Sequence, residues 1–594
     1  MSDFDLKIGI GGAAGQGIAS VGNILAFIFA RRGLNVWAYN AFQSIIRGGH
    51  TFLTIRASAE AIGTHGDVID ILVCLNQDTL DRHLGILGPG TFAIYDGGKI
   101  KPTDAPPNVN LIALPIATLS PNPTNKMLGN TIAAGAVLYI SGFSLDPLED
   151  ALKKQFARKG AEVVAENLAA ASAGYAFAGE HFKPMSHAIP APKDGLAILN
   201  GNTALAMGGA AAGVKFYCAY PMSPSTGVLH WFAANARKLG IMVRQVEDEL
   251  GVINMAIGAA HAGTRAMCAT SGGGFALMTE GIGLAAMMEI PVVVINVMRS
   301  GPSTGVPTKT EQGDLWQALG ASQGDFPRVI VAPTDVADAF ATIPEVFNVV
   351  DRLQCPALVL TDLLISEGTT SMDPALFKWD QDIDRGELID PARSNGSNGA
   401  YLRYEITKSG ISPRALPGIE GYIHVVASDE QDEDSTLISD EFTDPHKRQA
   451  MMEKRMRKME LAAAMVPAPE LDGPADADVT LVGWGSTKGV LDEATEQLNA
   501  AGTSTNHLQV KWLVPLHGEV ISAVLGASQK VIIVENNYTG QFARYLRSET
   551  GVFADAHIRK YDGEPFLTHH IVEGVQEILQ GKTAQYVPTH EYKV

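Results

Sequence analysis

Cysteine is scarce: the 594-residue chain carries only four, Cys74, Cys218, Cys268 and Cys355. No two of them form a CxxC pair, so this chain alone is a poor holder for an iron–sulfur cluster or a structural zinc. Scattered single thiols fit a reducing compartment, which points to the cytoplasm. Positive charge is also short. Lys and Arg total 45 against 64 Asp and Glu, a formal net charge of −19, which argues against nucleic acid or an anionic membrane surface as partner. No apolar run reaches the roughly 18 uninterrupted residues of a membrane span. The opening MSDFDLKIGIGG lacks a basic region ahead of an apolar core and reads as a first strand, not a signal peptide. What the chain has in quantity is glycine, 61 residues, with abundant alanine, a composition suited to close helix–sheet packing. Its length exceeds a single core, and three or four domains are expected.

The stretch Gln245 to Asp314 organises the rest. Apolar strands alternate there with Gly-rich helix starts. The acidic cluster Glu247-Asp248-Glu249 falls where a strand gives way to a small-residue helix, and Arg299 ends the apolar strand Val292–Met298. Carboxylates and a cation at strand ends are how an open α/β sheet builds a site.

Four segments are expected. Residues 1–190 begin with a strand, the turn GGAAGQG, an apolar helix and the strand NVWAYN, a βαβ opening. The spacing Gly12-x-x-Gly15-x-Gly17 departs from GxGxxG, and no acid ends the second strand to hold a ribose. The turn still offers backbone N–H groups at a helix start, suited to a phosphate or another anion; a tight packing turn is the equal competitor. Arg47, followed by Gly48 and Gly49, can bend closely around an anion, against the plainer reading of an exposed arginine in a hairpin. A proline-rich linker holds His187, with His181 just before it; neither histidine has metal-ligand spacing, and both read as solvated.

Residues 191–372 show a doubly wound parallel pattern. YPMSPST follows a strand, with Ser225 or Thr226 expected to cap the next helix and Ser223, between prolines, freer to face a ligand. Residues 373–471 break the alternation with a turn-rich stretch, the acidic run DEQDEDSTLISDE and the charged helix HKRQAMMEKRMRKMELAAA. The run reads as a solvated loop, the helix as presenting a solvated basic face, and its methionines as packing. Residues 472–594 return to α/β, with VTLVGWGSTKG and VIIVENNYTGQ as strand ends. The fold class is therefore α/β, in several doubly wound domains.

Taken together, GGAAGQG, SIIRGG and LVCLNQDTLDRHL ahead of YPMSPST, EDELGVINMAIGA, ATSGGGFALMTEGIGLA, RSGPSTGVPTKTEQGD, GWGST and VENNYTGQ cover nearly the whole chain. The combination resembles the α subunits of 2-oxoacid:ferredoxin oxidoreductases in which a γ domain is fused ahead of α, and among them the 2-oxoglutarate type. The resemblance implies a γ-type Rossmann-like domain, a thiamine-diphosphate pyrimidine-binding domain and a transketolase C-terminal-like domain. It implies oxidation of 2-oxoglutarate with CoA to succinyl-CoA and carbon dioxide, the electrons passing to ferredoxin, in either direction. The same chemistry on pyruvate, indolepyruvate or branched oxoacids is the alternative, and a non-catalytic CoA- or partner-binding subunit the further one.

On this resemblance Glu249 is the carboxylate that meets the aminopyrimidine of thiamine diphosphate, with Glu247 and Asp248 as rivals and helix capping as the plain alternative. Arg299 binds the oxoacid carboxylate bidentately, Ser223 and Thr308 contact the oxoacid, and Lys309 adds a cation suited to a dicarboxylate. Ser223 stands where the family usually has threonine, and Glu430-Gln431 where many relatives have Glu-His. Coenzyme A falls to the first domain, at Gly12, Gly15, Gln16, Gly17, Arg47, Gly48 and Gly49. The chain lacks the GDG…N segment that grips Mg²⁺ and the diphosphate; YDGGK and YDGEP do not supply it. The resemblance therefore implies a β subunit bringing Mg²⁺, the diphosphate grip and a [4Fe–4S] cluster, in an (αβ)₂ heterotetramer.

Overall fold

The computed structural model describes residues 4–44, 48–390, 401–438 and 444–590. Six strands form early: β1 Asp5–Ala14, β2 Asn35–Ala41, β3 Gly48–Ser58, β4 Ile71–Cys74, β5 Phe92–Asp96 and β6 Asn110–Leu114. Eight follow: β7 Ala197–Asn200, β8 Phe216–Ala219, β9 Met242–Gln245, β10 Ala266–Thr270, β11 Val292–Met298, β12 Val329–Val331, β13 Pro356–Asp362 and β14 Thr369–Met372. The last seven are β15 Leu471–Asp472, β16 Val479–Trp484, β17 Thr505–Val510, β18 Trp512–Val514, β19 Val531–Glu535, β20 Ala556–Arg559 and β21 Gln585–Tyr586.

They make three sheets. The first runs β6-β5-β4-β1-β3-β2-β14-β7, the second β18-β12-β13-β11-β10-β8-β9, the third β15-β17-β16-β19-β20-β21. The fold is α/β throughout, as expected. The opening β1–helix–β2 crossover is present, with its two strands parallel, but it is split. β3 lies between β1 and β2 and is antiparallel to both, so the first sheet is mixed. β1 continues through Ala14, and of GGAAGQG only Gly15–Gly17 turn. Two sheets also borrow strands. β7 and β14 extend the first sheet beside β2, and β18 pairs with β12 of the second.

The composition fits the packing. All seven residues of β11 are buried, as a central parallel strand covered on both faces requires. In the first domain the helices Leu128–Ile140 and Ala161–His181 touch backbone to backbone: a Cβ on Gly135 would lie 2.1 Å from the Ala171 carbonyl oxygen, and one on Gly174 1.9 Å from that of Ile132. The four cysteines are all buried and free. Among the described residues no helix is long and apolar enough to cross a membrane.

Three readings are corrected. The basic face of the helix Pro445–Met465 is turned inward. Lys454 and Lys458 are fully buried and donate to the two carboxylate oxygens of Glu289, at 2.6 and 2.7 Å. Arg403 joins them through the Met288 and Glu289 carbonyls. The acidic run, in its described part, is not simply solvated. Glu430 accepts two bonds from Arg455, at 2.9 and 2.8 Å, and Arg448 and Lys447 pair with Glu430 and Asp432. Charge pattern alone cannot show that two oppositely charged segments neutralise each other. His187, finally, bonds the Ser141 carbonyl at 3.1 Å and packs edge-on against Phe4.

Candidate active site

The carboxyl ends of β8, β9, β10 and β11 converge, since all four strands are parallel neighbours. After β9 the chain enters the helix Glu249–His261. Asp248 caps it, its Oδ1 accepting the Gly251 N–H at 2.7 Å. The three acids thus separate by role. Glu247 and Asp248 are exposed, and Asp248 does the capping; Glu249 alone is buried, with 4 % of its surface accessible. Its carboxylate receives one long bond, 3.5 Å, from the Thr270 hydroxyl at the end of β10. The next helix, Gly272–Met287, passes directly over it. A Cβ on Gly274 would meet Thr270 Oγ1 at 2.2 Å and Glu249 Oε1 at 2.3 Å, and one on Gly272 would meet Asp314 Oδ2 at 2.6 Å. Ser271, fully buried between them, has a hydroxyl without a partner.

Above this glycine floor opens a cleft of about 910 Å³. Arg299, following β11, reaches into it. Its Nη1 donates to the Ser223 carbonyl at 2.6 Å, while its Nε is buried without a partner. Burial pulls its pKa down and Asp314 opposes that. Two carboxyls share the cleft. Burial lifts Glu311 to about 7, with Asp314 adding to the rise and the Ser300 hydroxyl and Gly301 N–H holding it back. Burial also raises Asp314, eased by the Asn296 amide at 2.9 Å and by Arg299. The far wall comes from residues 472–594, the third α/β domain, with Asn537, Tyr538 and Tyr561. The segment Gln312–Asp314 is stitched to that domain: Gln312 bonds the Trp484 carbonyl at 2.8 Å and the Asn536 backbone on both sides, and Gln541 donates to the Gly313 carbonyl at 2.7 Å.

The structure brings Glu249, Arg299 and the Ser223 backbone to one site. The Ser223 hydroxyl is not what Arg299 meets; the carbonyl is. Neither predicted cap acts through its side chain, because Ser225, in the cap position, turns its hydroxyl back to the Met222 carbonyl at 2.8 Å. Thr308 is buried in the hairpin that returns beside Ser300. Lys309 is engaged: its ammonium pairs with Glu564 of the third domain, whose other oxygen lies 3.4 Å from the Tyr39 hydroxyl of the first. Sequence reasoning gave no role to Glu311, Asp314, Gly274 or the third-domain wall. The available signal was the polar run after the apolar strand VIIVE, since ligands gather beyond strand carboxyl ends.

A second cleft, of about 450 Å³, opens at the carboxyl ends of β1, β4, β5 and β6. Gly15, Gln16, Asn130, Lys99 and Lys126 line it. Gln16 folds back to accept the Ala13 N–H at 2.7 Å, and its carbonyl takes the Asn130 amide at 2.6 Å. Gly12 and Gly17 shape this turn. A Cβ on Gly12 would reach Gln16 Oε1 at 2.8 Å, and Gly17 sits at φ 83°. Gly48 and Gly49, both with positive φ, start β3, and Gly48 pairs with Ala14, so the two glycine motifs are neighbours. Arg47 lies outside the described residues.

Residues 207–449 match the family described as pyruvate flavodoxin/ferredoxin oxidoreductase, thiamine diphosphate-binding, and residues 7–177 match the pyruvate ferredoxin/flavodoxin oxidoreductase family. A buried, weakly partnered carboxylate behind a glycine floor suits the pyrimidine of that cofactor. Fold and site together define a thiamine diphosphate-dependent oxidoreductase subunit. The α subunit of 2-oxoacid:ferredoxin oxidoreductase 2 from Aeropyrum pernix is 31 % identical, over 99 % of both chains. The 2-oxoglutarate oxidoreductase subunit KorA from Mycobacterium tuberculosis is 30 % identical over 90 % of this chain and 85 % of its own. The structure of 2-oxoglutarate:ferredoxin oxidoreductase from Magnetococcus marinus, with 2-oxoglutarate, coenzyme A and succinyl-CoA bound, superposes with a TM-score of 0.91 at 33 % identity, covering 96 % of this chain and 99 % of that one. The chain belongs to the 2-oxoacid:ferredoxin oxidoreductase family, as an α subunit with the γ-type domain ahead of it.

Proposed function

We propose that this chain is the catalytic α subunit of a 2-oxoglutarate:ferredoxin oxidoreductase, converting 2-oxoglutarate, CoA and oxidised ferredoxin to succinyl-CoA, carbon dioxide and reduced ferredoxin. The carrying observation is Glu249, the one buried acid of its cluster, set behind the floor of a cleft that holds Arg299. Thiamine diphosphate, when bound, supplies the carbon nucleophile that attacks the ketone. Glu249 holds a proton at the pyrimidine N1′, which favours the tautomer able to deprotonate the thiazolium. Arg299 grips the carboxylate next to the ketone, with Ser223, in the loop after β8, and Thr308, in the hairpin beside Ser300, as further contacts. The choice of 2-oxoglutarate is supported by the M. tuberculosis relative, a 2-oxoglutarate oxidoreductase subunit, and by the ligands of the M. marinus enzyme.

Coenzyme A is assigned to the first domain, where Gly15 and Gln16 edge a cleft containing Lys99 and Lys126. Gly12, Gly17, Arg47, Gly48 and Gly49 are assigned to the same ligand. Mg²⁺, the diphosphate grip and a [4Fe–4S] cluster are assigned to a β subunit, in an (αβ)₂ complex that reduces ferredoxin. Lys309 contributes to a dicarboxylate by exchanging Glu564 for the distal carboxylate.

The test is a substrate panel on the complex with its β subunit, read by reduction of a low-potential acceptor. 2-Oxoglutarate is expected to give the highest kcat/KM, and Lys309→Ala to raise KM for 2-oxoglutarate more than for pyruvate. A panel led by pyruvate or a branched oxoacid would move the assignment to the sister activities. No thiamine-dependent turnover of any oxoacid would leave a binding subunit.

A further inference from the structure

The cleft contains an imbalance that oxoacid binding has to resolve. Arg299 is the cation among its described lining residues, and two carboxyls, Glu311 and Asp314, line the same cleft, Asp314 being the one that interacts with Arg299. If both are ionised, the described lining carries a net negative charge before an anionic substrate arrives. Like charges held in one poorly hydrated space raise each other's pKa and oppose a further anion. Asp314 is the better anchored of the two, bonded to the Asn296 amide and attracted by Arg299. Glu311 has weaker support. The Ser300 hydroxyl and Gly301 N–H favour its charged form, Asp314 opposes it, and Tyr538 and Tyr561 from the third domain complete the wall without adding a cation. Lys309, two residues earlier, is turned to Glu564.

We propose that Glu311 is a substrate-binding residue that takes up a proton as the oxoacid carboxylate docks on Arg299, so that the cleft admits the anion in a charge-matched state. This rests on the 2-oxoacid reading of the site. The neutral carboxyl offers an O–H donor to the incoming anion, whereas the ionised form repels it. Its position near pH 7 in the free protein sets the sign. The bound anion pushes Glu311 further up, so binding takes up protons above about pH 7 and weakens by up to about tenfold per pH unit beyond it, the limit for one linked proton.

Calorimetry on the holo complex tests this with two non-reacting probes, N-oxalylglycine for 2-oxoglutarate and oxamate for pyruvate. Each is titrated at pH 8 in two buffers of different ionisation enthalpy. Wild type is expected to take up a substantial fraction of a proton per anion bound, and Glu311→Gln none. In parallel, wild-type KM for the oxoacid is expected to rise from pH 7 to 9 while that of Glu311→Gln stays flat. Binding without proton uptake in wild type, or equal uptake in the variant, overturns the role of Glu311 and leaves the proposed function standing. Failure of either probe to bind, together with no oxoacid turnover, overturns both. The wild-type measurement stands even if the variant does not fold.

Discussion

Glu249 and its neighbours show how one position can carry a site while its flanks serve the scaffold. Asp248 stabilises the helix start by about 1 kcal/mol, the usual worth of such a cap, which frees Glu249 from that task. Glu249→Gln should lower thiamine-dependent turnover in the complex by at least about 100-fold, the scale of a lost proton-transfer group, with the fold intact by circular dichroism. Gly274→Ala should do nearly as much without removing a polar group, because its Cβ would land 2.3 Å from the Glu249 carboxylate. If Gly274→Ala retains wild-type kcat, the floor does not set the position of Glu249. Arg299→Ala should act mainly on binding, raising KM for the oxoacid about 10- to 100-fold, the worth of charge-assisted bonds. Arg299 stood out in the sequence because it directly follows the apolar strand β11; Glu249 was picked from its acidic cluster only by the family resemblance, and it is burial that separates it from Glu247 and Asp248. Glu311, Asp314 and Gly274 were not legible. Their meaning depends on which backbone runs past them, and no periodicity encodes that.

At the scale of elements, the helix Pro445–Met465 is the clearest case of pattern misleading. Its charges suggested a solvated face, yet Lys454 and Lys458 close on Glu289 inside the protein. Breaking a buried pair strands the surviving charges, at a cost of about 3–5 kcal/mol. Glu289→Ala should therefore cost about that much by urea unfolding, far more than truncating an exposed glutamate. An indistinguishable midpoint would mean the lysines find water instead. Glu367 offers a signed pH test. Burial lifts its carboxyl to about 7, while the Asn202 amide at 3.1 Å favours ionisation. Its folded pKa lies above the unfolded one near 4.3, so the folded state holds the extra proton and stability falls as pH rises from about 4.5 through 7. Glu367→Gln should thus raise Tm at pH 8 and leave it unchanged at pH 4. Elements with one dominant face, such as β11, were readable from sequence; the antiparallel β3 inside the first sheet was not, since an inserted hairpin strand leaves the apolar periodicity of β1 and β2 unaltered.

For the whole molecule, the first and third domains meet closely. Arg56 bonds Glu493 at 2.7 Å, Thr64 bonds both carboxylate oxygens of Glu493, and Asp67 accepts the Thr568 and His569 N–H groups. Gly63 and Gly489 lie back to back, and a Cβ on Gly63 would stand 2.4 Å from the Gly489 carbonyl oxygen. Gly63→Ala should loosen this junction by about 1–3 kcal/mol, the range for overpacking a tight contact, and split the calorimetric unfolding peak. The junction matters because Tyr39, Lys309 and Glu564, one from each domain, meet beside the cleft hairpin.

The strands lent between sheets also set a schedule for synthesis. β2 finds its outer neighbour only in β14, at residues 369–372, although β2 itself ends at Ala41. At the usual rates of about 5–20 residues per second, the roughly 330 residues between β2 and β14 take on the order of fifteen to sixty seconds to make. Throughout that interval the nascent first sheet has an open edge, the kind of edge that invites pairing with another chain. The ribosome-bound protein is thus open to aggregation from the time its first sheet forms, and a chaperone that shields it should be needed until β14 emerges.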